Sequence, residues 1–260
     1  MSASRSKPII AIFGGTSLTE AHRFAEWAGE ALAERAALVL TGGTGTLLPP
    51  DKSKRHEVRP IKESALVGAV SAVSPLRRRW IGVARSDRPN AEINEEFGGF
   101  VIATDLGHSR NYLEACLCDA ALVLPGGEGT ESEAMFTRAC EKPVLFVGSK
   151  PGDKARVETS TRIDAARRYV DADSVHDPWL ERSLSKEAFL HGLAASPEPV
   201  YLDLPQNSEQ QRATAIQAVK QVLDLLGASR TGMFPPLARY DDVCSTYMAW
   251  LSDADREAAP

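Results

Sequence analysis

No run of about 18 consecutive apolar residues occurs in the chain, so no membrane-spanning helix is expected. Cysteine is scarce: Cys116, Cys118, Cys140 and Cys244 are the four in 260 residues. So low a count argues against a disulfide framework. The opening MSASRSKP runs straight into an apolar segment, leaving no room for a signal peptide. Reduced thiols in a cytoplasmic protein are therefore the expectation. Cys116 and Cys118 stand two apart on an apparent helix, where side chains diverge by about 200°, so no shared metal is expected and all four read as structural. Positive charge is not in excess either. Thirty Lys and Arg against 35 Asp and Glu leave a net charge of −5, which speaks against a broad nucleic-acid surface. Internal repeats and low-complexity tracts are absent, which excludes solenoids and arrays.

What is present is alternation. Short apolar runs begin at Ile9 (IIAIF), Leu38 (LVL), Ile81 (IGVA), Phe100 (FVIAT), Ala121 (ALVL), Val144 (VLFVG) and Pro199 (PVYLDL). Amphipathic stretches separate several of them; in EAHRFAEWAGEALAERA, Phe24, Ala28, Ala31 and Leu32 recur at helical spacing. Strands alternating with helices predict an α/β fold, a doubly wound parallel sheet with helices on both faces. Nearly continuous apolar strands suit a sheet buried on both sides.

Several regions depart from that pattern. Residues 49–62, PPDKSKRHEVRPIK, are polar, basic and proline-bearing, and read as a loop: a solvated one, or a cationic lid over an anionic ligand. Residues 149–197 are charged with weak periodicity, and are expected to add helices. A helix is predicted near Ser208–Leu226, with Ala215, Val219, Val222 and Leu226 on one face and Gly227 ending it. Residues 1–227 are thus expected to form one domain. Residues 228–260 are too apolar for a free tail and are expected to pack on the body or on a second subunit.

Three runs end in glycine-rich turns: Gly14-Gly15-Thr16-Ser17, Gly42-Gly43 within Thr41–Gly45, and Gly126-Gly127-Glu128-Gly129-Thr130. In a doubly wound sheet, ligands sit beyond the carboxyl ends of the strands. Glycine admits a phosphate close to the backbone, and the following helix points its N–H groups at the anion. One such turn is weak support, since glycine also serves plain strand-to-helix turns. Three on one edge point to phosphate binding.

Two side chains fall beside these turns. Glu133 is placed in the first turn of the helix after Gly129. There it is either a functional carboxylate or the N3 member of a capping box with Thr130. Arg110 opens the helix before the ALVL run, against the helix dipole, and is either a surface arginine or a partner to a ligand or carboxylate. Among the scattered histidines, His108 lies near this edge and is a candidate secondary contact.

Arg110, nine residues ahead of Asp119, followed by ALVLPGGEGTESE, resembles the LOG ("Lonely guy") family of cytokinin riboside 5′-monophosphate phosphoribohydrolases. The family signature P-G-G-x-G-T-x-x-E is met in full by Pro125–Glu133. The resemblance covers roughly residues 9–148. It implies a Rossmann-like fold, a homodimer, no metal or redox cofactor, and hydrolysis of a nucleoside 5′-monophosphate to free base and ribose 5-phosphate. It also implies Arg110 and Glu133 as the catalytic pair, with Gly126, Gly127, Gly129 and Thr130 holding phosphate. An anionic carboxylate near the ribose would stabilise an oxocarbenium-like sugar and orient water, while a fixed 5′-phosphate positions the substrate. Two departures stand where base or sugar would be recognised. Gly107-x-x-Arg110-Asn111 replaces Met-x-x-Arg-Lys, and Leu47-Leu48-Pro49-Pro50 replaces a G-L-M-G helix start. The alternative is a non-catalytic nucleotide or molybdenum-cofactor carrier of the same fold. Nucleic acid and membrane are not expected partners.

Overall fold

The computed structural model describes residues 7–15, 21–42, 56–73, 77–85, 90–94, 98–104, 106–107, 110–148, 186–226 and 241–256. Seven strands form a parallel sheet: β1 (Ile9–Phe13), β2 (Leu38–Gly42), β3 (Trp80–Arg85), β5 (Gly99–Thr104), β6 (Ala120–Val123), β7 (Val144–Val147) and β8 (Val200–Leu202). An eighth, β4 (Asn90–Asn94), joins antiparallel to β5, giving the order β4-β5-β3-β2-β1-β6-β7-β8. This is an α/β, Rossmann-like architecture. Its strand order reverses between β1 and β6, the place where such sheets open a crevice for ligands.

Each of the seven apolar runs became a strand; β4 was not expected. Its sequence NAEIN is polar, and it lies at the sheet edge, where one strand partner suffices and an apolar run is not required. Around the sheet lie α1 (Ala21–Glu34), α2 (Ile61–Ser71), α3 (Arg110–Leu117), α4 (Glu128–Ala139), α5 (Lys186–Ala195), α6 (Ser208–Leu225) and α7 (Asp241–Arg256).

Alternation along β1 divides the core. Ile10 and Ile12 face a cluster with α1, α2 and α6, including Phe24, Ala28, Ala31, Leu32, Ala215, Val219 and Val222. Ile9, Ala11 and Phe13 face the other side, with Leu113, Leu117 and the α7 residues Tyr247, Trp250 and Leu251. The period of two in a strand sends successive side chains to opposite faces, so one apolar run serves both layers. Helices α1 and α2 pack backbone to backbone: a Cβ on Gly29 would strike the Ala65 carbonyl, and one on Gly68 the Glu26 carbonyl.

The basic segment is partly helix. Its last residues, Ile61 and Lys62, begin α2, whose N-cap is Pro60, so the expected loop gives way two residues early. Proline just ahead of a helix has its missing N–H where no intrahelical bond is made. Residues 49–55, most of the 149–197 segment and Gly227 lie outside the described residues. The α6 helix is as expected, with Asn207 accepting from the N–H groups of Glu209 and Gln210. In the C-terminal region, α7 packs the rings of Tyr247 and Trp250, both tilted, against Phe100 of β5.

Candidate functional site

The carboxyl ends of β1 and β6 are laced together. Leu124 donates to Phe13 O (2.9 Å) and Gly15 to Pro125 O (3.1 Å), so the first and third glycine turns adjoin at the switch point. Gly14 packs against Ile61 of α2, with no room for a side chain. Gly126 is equally crowded: a Cβ there would meet the Thr130 hydroxyl and, at 2.8 Å, Gly15 N. Gly127 is the opposite, exposed and with nothing within 4 Å of an added Cβ. The turn at Gly127 therefore opens outward while Gly126 holds it to the sheet.

Gly127 is the N-cap of α4, in extended conformation (φ −97°), and no side chain caps that end. The first backbone bond of the helix runs from Glu131 N to Gly127 O (3.1 Å). The N–H groups of Glu128, Gly129 and Thr130 fall in the first turn, which has no intrahelical acceptors. The capping-box reading of Thr130 and Glu133 is thus corrected. The helix begins two residues before Thr130, and Glu133 lies in its second turn. The physical reason is the crowding at Gly126, which seats the turn against Thr130 and Gly15 N so that the chain enters α4 at Glu128 and Thr130 falls inside the first turn.

Glu133 points inward and is 1% exposed. Its Oε1 receives Lys62 Nζ at 2.5 Å. Arg110, at the first position of α3, does not reach Glu133. Its Nε stands 3.6 Å from Glu114 Oε1, and its Nη1 donates to Gly107 O at 2.9 Å. Asn111, one of the departures from the LOG pattern, donates to Gly129 O (3.4 Å) and so links the starts of α3 and α4. Lys62, Glu114, Glu133 and Arg110 form one buried cluster beneath the second glycine turn. A Cβ on Gly42 would lie 2.5 Å from both Glu114 carboxyl oxygens and 2.7 Å from Lys62 Nζ.

Sequence reasoning missed Lys62 and Glu114. Lys62 sat in the segment read as a loop. Glu114 is four residues after Arg110, a spacing that also makes ordinary surface pairs on helices. What singles them out is burial. The Glu114 pKa is pushed up to about 8, first by desolvation and then by the neighbouring Glu133, against the opposing pull of Lys62 and Arg110. Burial works to lower the Lys62 pKa, but the Glu133 and Glu114 carboxylates outweigh it and the net shift is upward. Among the described residues, Arg110 Nε has no hydrogen-bond partner. With Glu114 holding its proton at neutral pH, the cluster carries two cations and one carboxylate, a net positive charge under the switch-point crevice.

Thr16, Ser17, Gly43 and His108 lie outside the described residues. The other expected glycines, Gly14, Gly15, Gly42, Gly126, Gly127 and Gly129, stand with Thr130 on the one sheet edge. No group of three or more His, Cys, Asp or Glu side chains suited to a metal occurs among the described residues. Nor is any described helix long and apolar enough to cross a membrane.

Residues 67–176 match the SLOG cluster4 family. The matched span includes Arg110, Glu114 and the Pro125–Glu133 signature, and begins just beyond Lys62. That match covers less than half of the chain, and membership of the LOG family does not follow from it. An uncharacterised protein of Archaeoglobus fulgidus is 28% identical over 114 residues, which is 44% of this chain and 62% of that protein, so the match spans less than two thirds of the relative's length. Among solved structures, the molybdenum cofactor carrier protein of Chlamydomonas reinhardtii is 22% identical, with 84% of this chain and 99% of that one covered and a TM-score of 0.46. The molybdenum cofactor binding protein of Rippkaea orientalis is also 22% identical, covering 64% of this chain and 88% of that one, with a TM-score of 0.43.

Proposed function

We propose that this protein binds a phosphate-bearing, nucleotide-like ligand at the β1/β6 switch point and releases it unchanged. The observation that carries the reading is the pairing of an outward-facing, uncapped α4 N-terminus at Gly127 with a Glu133 that is buried and held by Lys62. The first feature suits an anion: free N–H groups and the positive end of the helix dipole meet it. The second suits retention better than cleavage. A carboxylate that must stabilise a cationic sugar has to face it, whereas Glu133 is neutralised by Lys62, and Arg110 is engaged with Glu114. The net positive cluster below adds attraction for phosphate.

The ligand class includes nucleoside monophosphates and the molybdenum cofactor, the latter being what the carrier protein of Chlamydomonas reinhardtii and the binding protein of Rippkaea orientalis take. Calorimetric titration with AMP, GMP, CMP, UMP, IMP and the molybdenum cofactor, beside the unphosphorylated nucleosides, tests the reading. At least one phosphorylated ligand should bind and be recovered intact. Equal affinity for a nucleoside and its monophosphate, or no binding across the panel, would sink it.

Hydrolysis of the N-glycosidic bond is the second reading, favoured by one observation: the signature carboxylate Glu133 and Arg110 belong to one buried charged cluster with Lys62 and Glu114. Free base released in the same titrations selects it, and Glu133→Ala and Arg110→Ala should then each abolish most turnover. A homodimer and a cytoplasmic location accompany that reading as proposals; mass measurement of the native protein tests the first.

A further inference from the structure

Away from the phosphate edge, the opposite ends of α3 and α4 bring two thiols together. Cys116 is in the last turn of α3, and Cys140 is the C-cap of α4. Both are partly exposed, and both are free. Cys140 packs at the end of α3 against Ala115, Tyr112 and Phe136, and each thiol is the foremost influence on the other's pKa. The register is enforced by Lys142, whose buried Nζ donates to the carbonyls of Ala115 (2.8 Å), Cys116 (2.8 Å) and Cys118 (2.6 Å). That clamp ties the chain just after Cys140 to the end of α3. It also places a cation beside the pair. Phe136, packed on Tyr112 with ring centroids 5.6 Å apart, completes the contact between the two helices.

We propose that Cys116 and Cys140 are a redox pair, oxidised by a peroxide to a disulfide that bridges the C-terminal ends of α3 and α4. The inference is independent of what the phosphate edge binds. In the first step the Cys140 thiolate attacks one peroxide oxygen; the O–O bond breaks, hydroxide leaves and takes up a proton, and Cys140 becomes a sulfenic acid. In the second, Cys116 sulfur attacks the Cys140 sulfur, its proton goes to the departing hydroxide, and a second water is released. Two thiols lose two electrons in total and the peroxide gains them.

The roles follow from the surroundings. Hydrogen bonding from Cys116 and the nearby Lys142 lower the Cys140 pKa despite its burial, which marks it as the attacking thiolate. Cys116 is raised, chiefly because it donates to Cys140, and so acts second. Cys118 takes no part: it is fully buried, its Sγ donates to Ala115 O, and burial pushes its pKa up to about 12. The sequence gives no hint of the pair, because its members are 24 positions apart and the conspicuous neighbours, Cys116 and Cys118, face different ways.

The test treats the folded full chain with hydrogen peroxide, blocks remaining thiols with an alkylating agent, and maps peptides by mass spectrometry without reduction. Expected is a Cys116–Cys140 linked peptide pair, 2 Da lighter than its parts and separated again by dithiothreitol. In Cys116→Ser, dimedone should trap a sulfenic acid at Cys140. In Cys140→Ser, the dimedone adduct at Cys116 should form at least tenfold more slowly. Absence of the linked pair in the unaltered protein, a link made instead through Cys118 or Cys244, or equal dimedone rates in the two variants would each overturn the proposal.

Discussion

Lys62 and Glu133 meet at 2.5 Å with both side chains almost wholly out of water. A buried pair of this kind adds little net stability, but removing one partner strands the other. Lys62→Met should cost about 3–5 kcal/mol in urea unfolding, while the double variant Lys62→Met/Glu133→Leu should cost less than the single one. A loss below about 1 kcal/mol for Lys62→Met would mean that water reaches Glu133. Glu114 makes a separate, pH-dependent contribution. Its pKa rises from 4.5 to about 8 on folding, so the folded protein keeps a proton that the unfolded chain has released. That contribution is complete below pH 4.5 and drains away as pH climbs towards 8. The contribution of Lys62, whose pKa is raised from 10.5, is complete below that pH and is lost only as pH rises beyond it. Unfolding midpoints measured from pH 4.5 to 8 should therefore fall more steeply in the parent than in Glu114→Gln. Parallel profiles would show that Glu114 is ionised throughout.

At the scale of elements, the turn from β6 into α4 separates support from binding within two adjacent glycines. A methyl group on Gly126 would push on Thr130 and on the β1 turn, so Gly126→Ala should lower the melting temperature. Gly127→Ala meets open space in an extended conformation that alanine adopts freely, so the fold should be untouched. Its methyl group would stand where the proposed phosphate approaches, and affinity for a phosphorylated ligand should fall at least about tenfold, some 1.4 kcal/mol. Calorimetry and thermal unfolding of the two variants distinguish these effects; unchanged affinity in Gly127→Ala would move the anion away from this turn. The elements were mostly legible in the sequence, because apolar runs of three to six residues and helical spacing report directly on burial. The start of α4 was less so. Thr130-x-x-Glu133 is a sound capping signal, overridden here because Gly126 seats the turn against Thr130 and the β1 loop, and α4 starts at Glu128.

For the molecule as a whole, the α7 helix completes one face of the core. Tyr247 and Trp250 close on Phe100 with ring centroids 5.4 and 5.5 Å away, on the side of the sheet that also carries α3 and α4. Trp250→Ala should destabilise the protein by about 3–5 kcal/mol. Because α7 packs near β4 and β5, away from the β1/β6 crevice, ligand affinity at a temperature where the variant stays folded should not change. A variant of parental stability would show that α7 is dispensable to this core.

The sequence by itself determined the layered α/β build, the seven apolar strands and the glycine turns that follow three of them, since all three depend on neighbours within a few residues. It also marked Arg110 and Glu133 by a local signature. Only the tertiary structure decided who their partners are. Lys62 reaches Glu133 across 71 positions, Glu114 takes Arg110, and Cys116 meets Cys140. Those contacts arise because β2, β1 and β6 are brought side by side, and the charge, protonation and accessibility of a group are set by what crosses over to it. No spacing along the chain encodes that.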